Sequence, residues 1–168
     1  MTDLMKEALK ILDSKSLNAL REAKKQLTTF RIDNVELKQA LKYYADNWVD
    51  TLHPGMIAVS CEAVGGKEER CVPIQVAMLL LTAAIDVHDD IIDDSELKNG
   101  KQTVLGKFGR NMTLLIGDGM LLKGMAAFNI NETGLSPTVM ANVISTIDNA
   151  FTETGNAHAL ELSVKGEV

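Results

Sequence analysis

An all-α fold is predicted for this 168-residue chain, and three observations predict it. Apolar residues recur at i, i+3 and i+4 along its length, whereas the alternation expected of strands is absent. Glycine and proline fall where helices would start and stop. Eight Met, with many Leu and Ala, fill the apolar positions, while aromatic residues make up only 4%. The unbranched, flexible side chain of methionine suits irregular gaps between helices.

In order along the chain, a first helix is expected over about Asp3 to Leu12 and a second over about Leu17 to Leu27, before Thr28-Thr29-Phe30-Arg31 breaks the run. Asp33 or Asn34 then caps a third helix, in which Leu37, Leu41, Tyr44 and Trp48 line one face. Pro54 opens the next helix at its first position, and Gly65-Gly66 closes it. Pro73 opens a long apolar helix that ends in an acidic cluster. Ser95 to Gly109 reads as a polar, glycine-containing loop. A helix follows from about Asn111 to Ala127, and after Gly134 a last one is expected from about Pro137 to Lys165, interrupted in its interior by Gly155. No internal repeat or low-complexity stretch is visible, and the length is that of one domain covering 1–168.

Composition excludes several function classes. A net charge of −6 with no basic stripe argues against a nucleic-acid partner. Met1 to Leu12 mixes acidic and basic residues with apolar ones, unlike a signal or transit peptide. No uncharged apolar stretch reaches the roughly 18 residues of a transmembrane span. Cys61 and Cys71 lack a CxxC arrangement, so two buried, reduced thiols in a cytoplasmic protein are expected.

The chemistry concentrates at Asp86-Val87-His88-Asp89-Asp90-Ile91-Ile92-Asp93-Asp94, which places five carboxylates in nine positions after the uncharged run Val76 to Ile85. On a helix, Asp86, Asp90 and Asp94 repeat at i, i+4 and i+8, and Asp89 and Asp93 repeat the same step. Like charges so placed stand roughly 5–6 Å apart at Cβ and destabilise a helix. A cation shared with a bound phosphate relieves that repulsion, because Mg²⁺ takes carboxylate oxygens together with waters and substrate phosphates. The competing explanation is a solvated acidic face. The apolar flank favours the first, since the ladder emerges from a core instead of alternating with it.

From His88 onward the sequence resembles the trans-isoprenyl diphosphate synthase, or polyprenyl synthetase, family. Asp89-Asp90-Ile91-Ile92-Asp93 matches its first aspartate-rich motif, DDxxD. Lys98-Asn99-Gly100 stands where the family has Arg-Arg-Gly, and Lys101-Gln102-Thr103 where it has Lys-Pro-Thr. Leu115-Ile116-Gly117-Asp118-Gly119-Met120-Leu121 resembles its Gly-Asp-x-Leu segment, and Ala157-His158-Ala159-Leu160-Glu161-Leu162 a Gly-Gln-Ala-Leu-Asp-Leu stretch. The resemblance covers about Leu52 to Leu162. It implies the first half of an all-α bundle that binds an allylic isoprenyl diphosphate through Mg²⁺. Asp89 and Asp93 would be the metal ligands, with Asp90 orienting or completing the shell and Lys98 gripping the diphosphate. Lys in place of Arg keeps the charge but loses the bidentate fork.

The departures cluster. Where the family has a basic Gly-Gly-Lys-Arg-x-Arg-Pro motif for the second, homoallylic diphosphate, this sequence has Asp50-Thr51-Leu52-His53-Pro54, and Asn99 replaces a second arginine of that site. The family's second aspartate-rich motif lies beyond Val168. A half-bundle would expose an apolar groove, so an oligomer is expected, homomeric or with a larger prenyl synthase subunit. Ala83 and Ala84 either leave room for a long prenyl tail or permit close helix packing. His88 is read as a helix-face residue bonded to a neighbour. Asp118 either reaches the site through water or caps a helix turn, and Asp86 and Asp94 are read as solvent-facing charges.

Three functions fit. The first is the small subunit of a heteromeric polyprenyl diphosphate synthase. The second is a non-catalytic isoprenoid-diphosphate binding or regulatory protein. The third is an HD-type metal phosphohydrolase using His53, His88-Asp89 and Asp118 or Asp148; it leaves Asp90, Asp93 and Lys98-Asn99-Gly100 unexplained.

Overall fold

The computed structural model describes residues 2–164, with α-helices α1 (Asp3–Thr28), α2 (Val35–Asn47), α3 (Leu52–Ala63), α4 (Glu68–Ile92), α5 (Val104–Phe108), α6 (Arg110–Ala127), α7 (Ile130–Thr133) and α8 (Pro137–Val164). A two-stranded antiparallel ribbon of β1 (Leu97–Lys98) and β2 (Lys101–Gln102) interrupts the helices, so the fold is all-α in class. Two compact units divide the chain, Met1–Asn129 and Ile130–Val168.

In the first unit the core is shared by Leu20, Ala23 and Leu27 of α1, Leu41 and Tyr44 of α2, Leu79, Leu80, Ala83, Ala84 and Val87 of α4, and Ile116 and Met120 of α6. Helix α4 is its axis. By length and hydropathy α4 is the one helix among the described residues that could cross a bilayer, but 56% of that stretch is buried inside the fold, as a core helix requires. Ala83 and Ala84 are each 1% exposed, which decides between the two sequence readings in favour of close packing. The outward stripe of α4 is instead the half-buried series Ile74, Met78, Thr82, Ile85 and Asp89.

Several boundaries differ from expectation, each for a local reason. The two helices expected at the N-terminus are one, because three of the intervening polar side chains find partners, Ser16 in the interior and Ser14 on the surface. Ser14 Oγ donates to the Ile11 carbonyl at 2.8 Å and Ser16 Oγ to those of Leu12 and Thr51, while Lys15 Nζ reaches Glu62 at 2.6 Å and Glu68 at 2.9 Å. Hydroxyls bonded back to the preceding turn are compatible with a continuing helix. Helix α4 starts at Glu68, five residues before Pro73, with Glu68 and Glu69 favourably placed at its positive end. Pro54 sits inside the first turn of α3, where its missing N–H costs nothing. Gln75, fully buried, donates from Nε2 to the carbonyls of Pro54 at 2.6 Å and Lys15 at 3.2 Å, joining α4 to α3 and α1.

The expected Ser95–Gly109 loop contains the ribbon and α5. Asn99 (φ 52°) and Gly100 (φ 75°) are both left-handed, as a two-residue type I′ hairpin demands, and Asn-Gly is the pair that adopts it most readily. Thr103 closes the segment by donating from Oγ1 to the Ser95 carbonyl at 2.7 Å and caps α5 by accepting from Gly106 N–H at 3.1 Å. Among the described residues Cys71 is buried and Cys61 only half-buried, both as free thiols; burial and the neighbouring Cys61 push Cys71 up to about 11. In the second unit, α8 runs unbroken through Gly155.

Candidate functional site

The acidic ladder occupies the last turns of α4, and the helix divides it between two faces. Asp89 and Asp93 stand one turn apart on one face, with Asp89 half-buried and Asp93 exposed. Asp86 and Asp90 share a second face, displaced by roughly 100° at 3.6 residues per turn. The second face belongs to Lys98. Its Nζ lies 2.9 Å from Asp86 Oδ1 and 2.7 Å from Asp90 Oδ1, so strand β1 is tied to α4 through one ammonium.

Asp90 is only 4% exposed, and burial pushes its carboxyl pKa up against the opposing pull of Lys98. Burial works against the charge of Lys98 as well, but the close ion pairs with Asp90 and Asp86 hold its ammonium pKa above the usual lysine range. Tyr44, buried on α2, donates from its hydroxyl to Asp86 Oδ2 at 3.4 Å and rests on Trp48 with ring centroids 5.5 Å apart. Burial, with Asp86 beside it, raises the Tyr44 hydroxyl well above the phenol range. The ribbon is pinned on its other side by Tyr43, whose hydroxyl donates to the Gln102 carbonyl at 2.7 Å, and by Lys101 Nζ, 3.2 Å from Asn47 Oδ1. An open cavity of about 380 Å³ lies between α2, the ribbon and α4, lined by Tyr43, Tyr44, Trp48, Asp86, Lys98 and Lys101 among others.

Two charges expected to face solvent have structural partners. Asp86 is one. Asp94 adopts φ 52° immediately after the C-cap Asp93 and lies 3.2 Å from Arg110 Nη2, which also donates to the Ile91 carbonyl at 3.3 Å. Asp and Asn tolerate the left-handed conformation that ends a helix better than most residues.

His88 lies half-buried on the helix face as expected, with its Nε2 3.3 Å from Asp118 Oδ1, but that nitrogen makes no hydrogen bond to a neighbour among the described residues. Its ring lies over Gly117, where a Cβ would collide with it, so α6 passes close to the base of the ladder. Asp118 sits inside α6, beside His88, and not at a helix end where it could cap. His53 pairs with Asp50, Nδ1 to Oδ2 at 2.7 Å, and Thr82 Oγ1 donates to the same carboxylate at 3.4 Å. The segment aligned with the family's basic motif thus presents a carboxylate. Among the described residues no three side chains of His, Cys, Asp or Glu converge to hold a metal by themselves, which leaves the His53, His88-Asp89 and Asp118 set unassembled.

The donor chemistry nevertheless fits Mg²⁺. That ion is commonly held by one or two carboxylates, its other positions going to water and substrate phosphates. Asp89 and Asp93 are all-oxygen donors on one face at helical i, i+4 spacing. Asp90 fits less well as a ligand, since it is buried against Lys98.

Residues 34–167 match the family described as polyprenyl synthetase. The geranylgeranyl diphosphate synthase of Saccharolobus solfataricus is 28% identical over 117 residues, covering 70% of this chain and 35% of that protein. The heterodimeric geranylgeranyl pyrophosphate synthase large subunit 1, chloroplastic, of Arabidopsis thaliana is 28% identical over 89 residues, covering 52% of this chain and 24% of that one. The crystal structure of geranylgeranyl pyrophosphate synthetase from Pyrococcus horikoshii Ot3 superposes with a TM-score of 0.84 at 28% identity, over 97% of this chain and 49% of that chain. The chain spans about a third of the length of the curated relatives it matches, 35% in the Saccharolobus case.

Proposed function

Because the chain belongs to the polyprenyl synthetase family, we propose that it binds the headgroup of an allylic isoprenyl diphosphate through Mg²⁺ at DDxxD, as the small subunit of a heteromeric polyprenyl diphosphate synthase. The observation that carries this reading is the division of the ladder. Asp89 and Asp93 stand together at the end of α4, while the adjoining face holds Lys98 beside them on a clamped ribbon.

Bound Mg²⁺ supplies charge neutralisation of the diphosphate, which makes it a better leaving group. The chain's own residues do the rest. Asp89 and Asp93 hold the ion, Asp90 fixes the Lys98 ammonium, and Lys98 offers a donor to a phosphate oxygen. The apolar stripe Ile74, Met78 and Ile85 on α4 runs away from Asp89 and provides a surface for a hydrocarbon tail. A larger synthase subunit would supply the second aspartate-rich motif and the basic pocket for the homoallylic partner, for which Asp50 and His53 are poor substitutes. The name of the Arabidopsis relative, a large subunit of a heterodimer, is consistent with that division of labour.

The alternative, a non-catalytic isoprenoid-diphosphate binding or regulatory protein, draws support from the same Asp50–His53 pair, because a binder has no need of a second diphosphate site. Calorimetric titration of geranylgeranyl diphosphate with Mg²⁺ tests the shared premise. Saturable binding is expected, and the Asp89→Ala, Asp93→Ala double variant should lose it while its circular dichroism is unchanged; retained binding would remove these residues as metal ligands. Elongation with isopentenyl diphosphate by a full-length geranylgeranyl diphosphate synthase whose own first aspartate-rich motif has been disabled, restored only when this chain is added, separates the subunit from the simple binder.

A further inference from the structure

The geometry points to Asp86 as a positioning residue that sets how tightly the site grips a diphosphate, by competing with it for Lys98. This rests on the reading that the end of α4 holds a diphosphate.

Lys98 has three N–H donors. In the structure it faces two carboxylates, Asp86 Oδ1 at 2.9 Å and Asp90 Oδ1 at 2.7 Å. The two partners differ in kind. Asp90 is buried and would be left in a poor environment without its cation, so that contact is structural. Asp86 is half-exposed, with a side chain 48% accessible, and water can solvate it when Lys98 leaves. The exchangeable partner is therefore Asp86.

Its carboxylate does not drift. Tyr44, held by burial and by Trp48, donates to Asp86 Oδ2 at 3.4 Å and leaves Oδ1 directed at Lys98. With both carboxylates in place negative charge outnumbers positive around the ammonium, so an approaching phosphate meets a compensated cation instead of a free one. Loss of the Asp86 charge would open a second donor on Lys98, leaving only Asp90 to compensate the ammonium, and remove a repulsion from the same small volume. A diphosphate must displace Asp86, or share Lys98 with it, whereas Asp90 stays bound throughout.

The test is a double-mutant cycle read by calorimetry, with inorganic diphosphate and Mg²⁺ as probe. Asp86→Asn, nearly isosteric and still able to accept from Tyr44, should tighten binding by about three- to five-fold, the size expected of one partly exposed ion pair. The gain should vanish in a Lys98→Met background, and Tyr44→Phe, which only loosens Asp86, should give a smaller gain. A ligand-free readout accompanies it. Acetic anhydride labelling of Lys98, measured by mass spectrometry against Lys101 of the same ribbon, should rise in Asp86→Asn. If wild type binds the probe and Asp86→Asn binds equally or more weakly, or if the gain survives Lys98→Met, this inference fails and the functional reading stands. Binding by neither wild type nor variant overturns both, and unchanged labelling of Lys98 overturns the competition by itself.

Discussion

Asp90 and Lys98 show how much a single side chain at the end of α4 depends on its neighbour. A buried carboxylate is expensive unless paired, and leaving one unsatisfied costs about 1–3 kcal/mol. Lys98→Met should therefore destabilise the first unit by about that amount near neutral pH. The pH dependence has a definite sign. Burial already raises the Asp90 carboxyl, and without Lys98 it rises further. A group raised in the fold contributes stability that is present below its unfolded value and lost as pH rises through the folded one. The deficit of the variant is then larger at about pH 7.5 than at about pH 5, and urea unfolding at the two pH values measures it. Five aspartates were visible in the sequence as a cluster, and the i, i+4 arithmetic grouped Asp86 with Asp90 and Asp89 with Asp93 correctly. It also put Asp94 in the first row, whereas α4 ends before it and Asp94 turns away to Arg110. What it could not supply was the Lys98 contact, because that pairing spans a turn whose conformation fixes where the lysine points. Tyr44 escaped for a related reason: as one apolar position on α2 its hydroxyl had no visible target until α4 lay beside it.

At the scale of elements, the ribbon between α4 and α5 is where sequence and structure part most. Its strands are two residues each, too short for any alternation to register, and only Asn99-Gly100 marked the turn. Seen as a gap in a binding motif, Asn99 was a missing arginine; in the structure it is a turn residue at φ 52°. Restoring the arginine has a conformational consequence. Asn99→Arg should cost about 1–2 kcal/mol, because a long L side chain is strained in the left-handed region. Thermal melting of the variant beside wild type reads this, and an unchanged midpoint would show that the ribbon adjusts freely. Helix α1 taught the opposite lesson. Asp13-Ser14-Lys15-Ser16 looked like a break because its polarity interrupts the apolar period, yet two hydroxyls bond back to the helix and Lys15 is taken up by Glu62 and Glu68.

For the whole molecule, fold class was legible because strand alternation is absent and helical periodicity is strong in α1 and α2, whereas the face through which the expected oligomer forms was not, since it depends on surfaces rather than patterns. Helix α6 carries Leu114, Leu115, Leu122 and Met125 at 48%, 55%, 72% and 44% exposure, and these positions fall along one side of the helix. Helix α3 adds Leu52, Met56 and Val59 at 55%, 51% and 36%. Apolar stripes of this kind favour association. The subunit reading expects native mass spectrometry of the purified chain, or of the chain mixed with a full-length family member, to show a complex that contains this chain together with a second chain; this chain as a lone monomer under both conditions would remove it.

The Asn99-Gly100 turn carries a further implication, one of chemical ageing. A side-chain amide followed by glycine is the arrangement in which the next backbone nitrogen most easily closes on it to form a succinimide, since no Cβ stands in the way. Opening of that ring yields aspartate or an isoaspartyl linkage, and the second inserts a methylene into the main chain one residue from Lys98. The hairpin that aims the lysine is thus also the place where time would first misalign it.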